Sequence, residues 1–200
     1  MGESRRRQLA RPSGMPAGGD RRIRQLLAEA QQSKRGGRLS ASKDAIEAVL
    51  RIDPACAEAW RELGLLAQEA GALDAAVNIL ARAADLAQDD LESRVHYAKA
   101  LQNAGREEAA CAEWQTICGR WPDNPGCWES LGILRQAIGD IAEAAEAYGR
   151  ADVLRSSAGL RAKLATLVSP IVPSRAAIAV ERNRMDASLD DLLAGNSGPA

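Results

Sequence analysis

Four glycines, Gly37, Gly71, Gly105 and Gly139, stand 34 residues apart in three equal steps. A fixed period of this length constrains the fold more than any single residue does. It marks a repeat architecture, whose units cannot bury their own apolar faces and so stack on their neighbours. Aligned on the glycines, the chain divides into four units near 23–56, 57–90, 91–124 and 125–158. Seven residues before each glycine comes a small residue: Ala30, Gly64, Ala98 or Gly132. Five residues after it comes another, Ser42, Ala76, Ala110 or Ala144, and four further on a bulky one, Ile46, Leu80, Trp114 or Tyr148. Pro54 and Pro122 follow the second half of two units, where the others carry Gln88 and Ser156.

Each unit reads as a helical hairpin. In 57–70, Trp60, Leu63, Leu66 and Ala67 recur at three- and four-residue steps, which places them on one helix face. Leu73, Ala76, Val77, Leu80 and Ala83 do the same over 73–86. Gly71 falls between the two, where a helix commonly ends on a left-handed residue. Gly64 and Ala76 leave room for the paired helices to approach closely. Aromatic residues make up only 3% of the chain, against 46% hydrophobic, with alanine prominent, so an all-α chain without sheet is expected. No stretch approaches the roughly 18 consecutive apolar residues that a membrane span needs.

These residues carry a resemblance to the tetratricopeptide repeat, whose 34-residue pattern is W-x2-L-G-x2-Y, A-x3-F, P. Trp60, Leu63 and Gly64 match its opening, as do Trp128, Leu131 and Gly132. Ala76-x3-Leu80, Ala110-x3-Trp114 and Ala144-x3-Tyr148 match its middle. The first unit departs most, with Leu26, Glu29 and Ala30, and the third has Arg94, Tyr97 and Ala98. The resemblance implies a right-handed α-α superhelix of four hairpins over 23–168, including a capping helix near 159–168. It also implies that the first helix of each unit lines a concave groove. The groove candidates are Arg61, Leu65 and Gln68, then Val95, Lys99 and Gln102, then Glu129, Ile133 and Gln136. Three apolar positions flanked by amides and both charges suit a bound peptide or partner protein. A carboxylate clamp would need paired lysine, arginine and asparagine, and only Arg61 and Lys99 are present.

The ends differ from the array. Residues 1–22 hold six arginines against Glu3 and Asp20, which is +4 in a chain whose net charge is −1. This segment reads as a solvated, disordered basic tail. It lacks the apolar core of an export signal, the serine or threonine of a myristoylation site, and interleaved aromatics for nucleic-acid stacking. Ser169-Pro170-Ile171-Val172-Pro173 breaks the helical path. Ser174 can then cap a helix with Ile178, Met185, Leu189, Leu192 and Leu193 along one stripe. This turn and helix (169–195), ending at Gly195, is expected to fold back over the end of the array, with 196–200 a flexible tail. The passage from Leu164 to Ser174 and the helix through Leu193 resemble the junction between repeats and catalytic lobes in SPINDLY-like O-linked N-acetylglucosamine transferases. That resemblance implies a rival role, as the substrate-binding repeat region of such a glycosyltransferase. The residues present include no glycine-rich strand–helix turn for a nucleotide sugar.

Catalytic and metal constellations are not evident. Cys56, Cys111, Cys118 and Cys127 include no C-x-x-C pair, and small buried thiols explain them better than a zinc site with His96. His96 is the only histidine, and no serine or cysteine has a recognisable partner. The expectation is a non-enzymatic, cytoplasmic interaction scaffold with no cofactor and no metal, whose partner is a protein or peptide and not a nucleic acid.

Overall fold

The computed structural model describes residues 17–167 and 175–195, and these form ten helices with no strand among them. In chain order they are α1 (Ala17–Arg35), α2 (Leu39–Ile52), α3 (Ala57–Glu69), α4 (Leu73–Leu86), α5 (Leu91–Asn103), α6 (Glu107–Arg120), α7 (Pro125–Ala137), α8 (Ile141–Leu154), α9 (Ala158–Ala165) and α10 (Arg175–Gly195). The first eight pair as four successive hairpins, each packed on the next, and α3 also touches α5. The result is an all-α helical-repeat superhelix.

One device reverses the chain in all four hairpins. The periodic glycines have φ of 71°, 75°, 69° and 89°, a region that a Cβ disfavours. The Gly71 amide donates to the Gln68 carbonyl and the Ala72 amide to the Ala67 carbonyl, both at 2.9 Å. This is the paired closure of a Schellman motif, and it recurs at Gly37, Gly105 and Gly139.

Within a hairpin the small residues set the approach of the two helices. A Cβ placed on Gly64 would lie 2.5 Å from Leu80 Cγ, and one on Gly132 would lie 2.7 Å from Tyr148 Cδ1 and Cε1. Ala76, Ala110 and Ala144 are fully buried, and so are Leu80 and Tyr148. Bulky residue therefore meets missing side chain at Gly64 and Gly132.

Successive hairpins are joined by a second recurring contact. Trp60 Nε1 donates to the Pro54 carbonyl and Trp128 Nε1 to the Pro122 carbonyl, both at 2.8 Å. In the intervening unit Arg94 Nε donates to the Gln88 carbonyl at 3.2 Å. The third unit's departure from tryptophan thus preserves the same N–H at the same place. Arg94 also reaches Glu113 at 2.7 Å, tying α5 to α6.

The ends of the array differ in detail from the sequence expectation. α1 begins at Ala17, so residues 17–22 of the expected basic tail are helical, with Asp20 in the favourable first turn. Residues 1–16 lie outside the described residues. α9 starts on a Ser157 cap, whose Oγ accepts from the Leu160 amide at 3.1 Å, and ends at Ala165 rather than 168. Leu160 and Leu167 bury against Ala144, Tyr148 and Ala151, closing the apolar edge of the fourth hairpin. α10 packs against α9. Of its expected stripe, Ile178 and Leu189 are exposed and Met185 is half-buried, while the side chains of Leu192 and Leu193 lie outside the described residues. The Ser169–Pro173 turn also lies outside them, as do residues 196–200.

Candidate partner-binding face

The nine candidate positions fall into three rows of 34-residue register across α3, α5 and α7. The first row is Arg61, Val95 and Glu129, the second Leu65, Lys99 and Ile133, and the third Gln68, Gln102 and Gln136.

In the first row the charges are already engaged. Arg61 Nη1 lies 3.1 Å from Asp90 Oδ2 and 3.2 Å from Glu92 Oε2, which links α3 to the start of α5. Its Nε is buried without a hydrogen-bond partner. Asp90 is also the α5 cap, accepting from the Ser93 amide at 3.0 Å and the Ser93 hydroxyl at 2.6 Å. Burial works against its ionisation, but these bonds and the Arg61 charge hold its carboxyl below the ordinary value. Val95 is half-buried against the central core. Glu129 binds Lys163 at 2.7 Å and faces Arg155 at 3.7 Å, so it joins α7 to α9. Arg61 and Glu129 act first as joints between units.

The second row is the accessible one. Lys99 is exposed and Ile133 is 46% exposed, while Leu65 is half-buried. Beside Lys99 stands His96, whose imidazole is held below its ordinary pKa by burial, against the opposing pull of Glu92.

The third row sits at the Schellman closures. Gln68, Gln102 and Gln136 each accept the glycine amide on their main-chain carbonyls. Two of the side chains are also fixed. Trp114 Nε1 donates to Gln102 Oε1 at 2.9 Å, and the Tyr148 hydroxyl donates to Gln136 Oε1 at 2.8 Å. Leu80 occupies the equivalent place opposite Gln68 and offers no donor. The sequence carried this signal: Gln and the bulky residue of the second helix lie twelve apart in each unit.

Outside these rows, a recess of about 450 Å³ is lined by Pro122, Trp128, Glu146, Gly149, Arg150, Val153 and Leu154. The Arg150 guanidinium lies 4.7 Å from the Trp128 ring centre, and Val153 is 89% exposed. Val153 breaks the repeat register, since its counterparts in the other units are Arg51, Asp85 and Gly119.

The thiols are packing groups. Cys111, Cys118 and Cys127 are buried, and burial, with Cys127 alongside, pushes the Cys118 thiol up to about 12. A metal ligand must be thiolate, which this setting disfavours. No group of three or more His, Cys, Asp or Glu positioned for a metal occurs among the described residues. No helix among them is long and apolar enough to cross a membrane.

Solved structures share this architecture. The chain superimposes on MamA with a TM-score of 0.71 at 15% identity, covering 87% of this chain and 91% of that one. It superimposes on YrrB, described as a TPR protein with an unusual peptide-binding site, with a TM-score of 0.66 at 12% identity over 88% and 90%. The fold is that of the tetratricopeptide repeat. A third likeness is to a Thermobaculum terrenum O-GlcNAc transferase mutant, with a TM-score of 0.60 at 25% identity, covering 70% of this chain but 27% of the enzyme. No family model matches the sequence, and no curated protein does either. The tetratricopeptide fold is thus carried here by register and packing, with Arg94 and Gln88 in places where the pattern has tryptophan and proline.

Proposed function

We propose that this protein is an interaction scaffold that binds a peptide segment of a partner protein across the first helices of its repeats. The observation that carries the proposal is the alignment of three rows on α3, α5 and α7, one of which presents exposed Lys99 and Ile133 in register with half-buried Leu65. Apolar anchors flanked by polar groups at repeat spacing suit a chain lying across several units. The peptide-binding site named for YrrB is consistent with the proposal. With all four cysteines free, a reducing compartment such as the cytoplasm is the setting proposed. The transferase likeness spans 27% of that enzyme, and sugar transfer is not part of the proposal.

The test selects peptides from a random 12-residue display library on the immobilised protein and repeats the binding with Lys99→Glu/Ile133→Asp. Both side chains are exposed, so the double variant should melt with the wild type. Loss of the selected peptides supports the proposal. Undiminished capture by a folded double variant sinks it.

A further inference from the structure

Two exposed helix faces of this chain mirror each other. On α8, Ala142, Glu146, Arg150 and Val153 stand at steps of four, four and three, the spacing of one helix face. All four are exposed, and Glu146, Arg150 and Val153 line the recess beside Trp128. On α10, Ile178, Arg182, Asp186 and Leu189 repeat the same steps, and all four are again exposed. Each α10 residue follows its α8 counterpart by 36 positions.

Both faces read apolar, charged, charged, apolar, but the signs are inverted. α8 carries acid then base, and α10 carries base then acid. Laid side by side in one direction, α10 sets Arg182 level with Glu146 and Asp186 level with Arg150. Ile178 then meets Ala142, and Leu189 meets Val153 in the recess. Turned end for end, Arg182 would face Arg150 and Asp186 would face Glu146, so charge also fixes the direction. Within each helix the charges pair one turn apart, Glu146 with Arg150 at 3.0 Å and Arg182 with Asp186 at 3.9 Å. Exposed pairs of this kind contribute little and can be exchanged for partners across a contact. The two faces do not meet within one chain, because α10 packs against α9 and Val153 stands 89% exposed.

We propose that this protein self-associates, the α10 of one copy lying parallel to α8 along the recess of a second copy. Each copy carries one recess and one α10, so a reciprocal exchange fills both and closes the pair. The contact lies apart from the rows on α3, α5 and α7 and does not depend on the peptide-binding role.

Sedimentation equilibrium of the full chain over a range of concentrations reads the association, and circular dichroism checks the fold of each variant. The wild type should approach twice the mass of one chain as concentration rises. Val153→Asp and Leu189→Asp each replace an exposed side chain and should weaken the association at least about ten-fold. Mixing these two variants should restore a pair, since the intact α10 of the first meets the intact recess of the second. Glu146→Arg/Arg150→Glu keeps an ion pair within α8 but should abolish the association. Adding Arg182→Asp/Asp186→Arg to the same chain should restore it. Lys99→Glu/Ile133→Asp should leave it unchanged, so this contact and the peptide-binding role fail separately. A chain that stays monomeric at every concentration overturns the proposal. Association that survives Val153→Asp overturns it too, since α10 would then pair with another surface, and so does a mixture of the two aspartate variants that stays monomeric.

Discussion

Gly132 and Gly149 lie within one hairpin, yet replacing each by alanine should move stability in opposite directions. At Gly132 the added methyl would sit 2.7 Å from two ring carbons of Tyr148 and 3.1 Å from a third. Carbon atoms in contact prefer about 3.5–4.0 Å, so the overlap is on the order of 1 Å. The ring is fully buried and its hydroxyl is tied to Gln136, so it cannot swing aside. Overpacking of this kind costs about 1–3 kcal/mol. Exchanging glycine for alanine inside a helix returns up to about 1 kcal/mol. The net expectation for Gly132→Ala is a loss of about 1–2 kcal/mol, or roughly 2–8 °C in Tm for a chain of this size. At Gly149, inside α8, nothing lies within 4 Å of the added carbon. Only the propensity gain remains there, and Gly149→Ala should raise Tm by roughly 2–4 °C. Thermal melts followed by circular dichroism, checked by urea unfolding, read both. Shifts of the same sign would refute the argument that missing side chains set the distance between the paired helices.

Gly71→Ala should cost about 1–2 kcal/mol although nothing crowds the site, because the penalty there is backbone conformation alone, and Gly71→Asn should cost less in the same melt. Asp90 has a folded pKa below its ordinary value of 3.8, so its contribution is present above that value and is lost as pH falls through the lower folded one. Urea melts from pH 7 to pH 3 should therefore show a steeper acid loss in wild type than in Asp90→Asn; parallel curves would contradict it. In the native protein at pH 8, iodoacetamide should modify half-buried Cys56 well before Cys118, whose thiol is both buried and pushed up to about 12. Peptide mass spectrometry gives the order, and equal rates would show that the α6–α7 packing opens freely.

Much of the fold was legible because glycine spacing and small-residue spacing are local properties of the chain. Gly37, Gly71, Gly105 and Gly139 fall on the four reversals, and Gly64 lies at a close approach of paired helices as expected, with Leu80 opposite it and Tyr148 opposite Gly132. The start of α1 at Ala17 was not legible, since an arginine-rich, glycine-containing run reads as solvated coil until its later turns, carrying Leu26, Leu27 and Ala30, are seen packed on Ile46 and Val49. At the candidate face, register was readable but occupancy was not. Arg61 and Glu129 share rows with Val95, yet their charges meet Asp90, Glu92 and Lys163 from other helices. Ion pairs across units depend on side-chain reach and on the curvature of the stack, and neither is written in a linear period. The substitution of Arg94 for tryptophan hid for a related reason: letters changed while the donated N–H stayed in place.

That last contact has a consequence for how such a chain can change length. A seam that accepts either an indole or a guanidinium does not care which hairpin supplies it. Excising residues 57–90 would join Cys56 to Leu91 and set Arg94 six places after Pro54, the offset that Trp60 has now. The shortened chain would carry one hairpin fewer and an intact seam, which a cooperative melt would register. Span is thus adjustable in whole hairpins at this contact, while the Asp90 cap of α5 leaves with the excised unit.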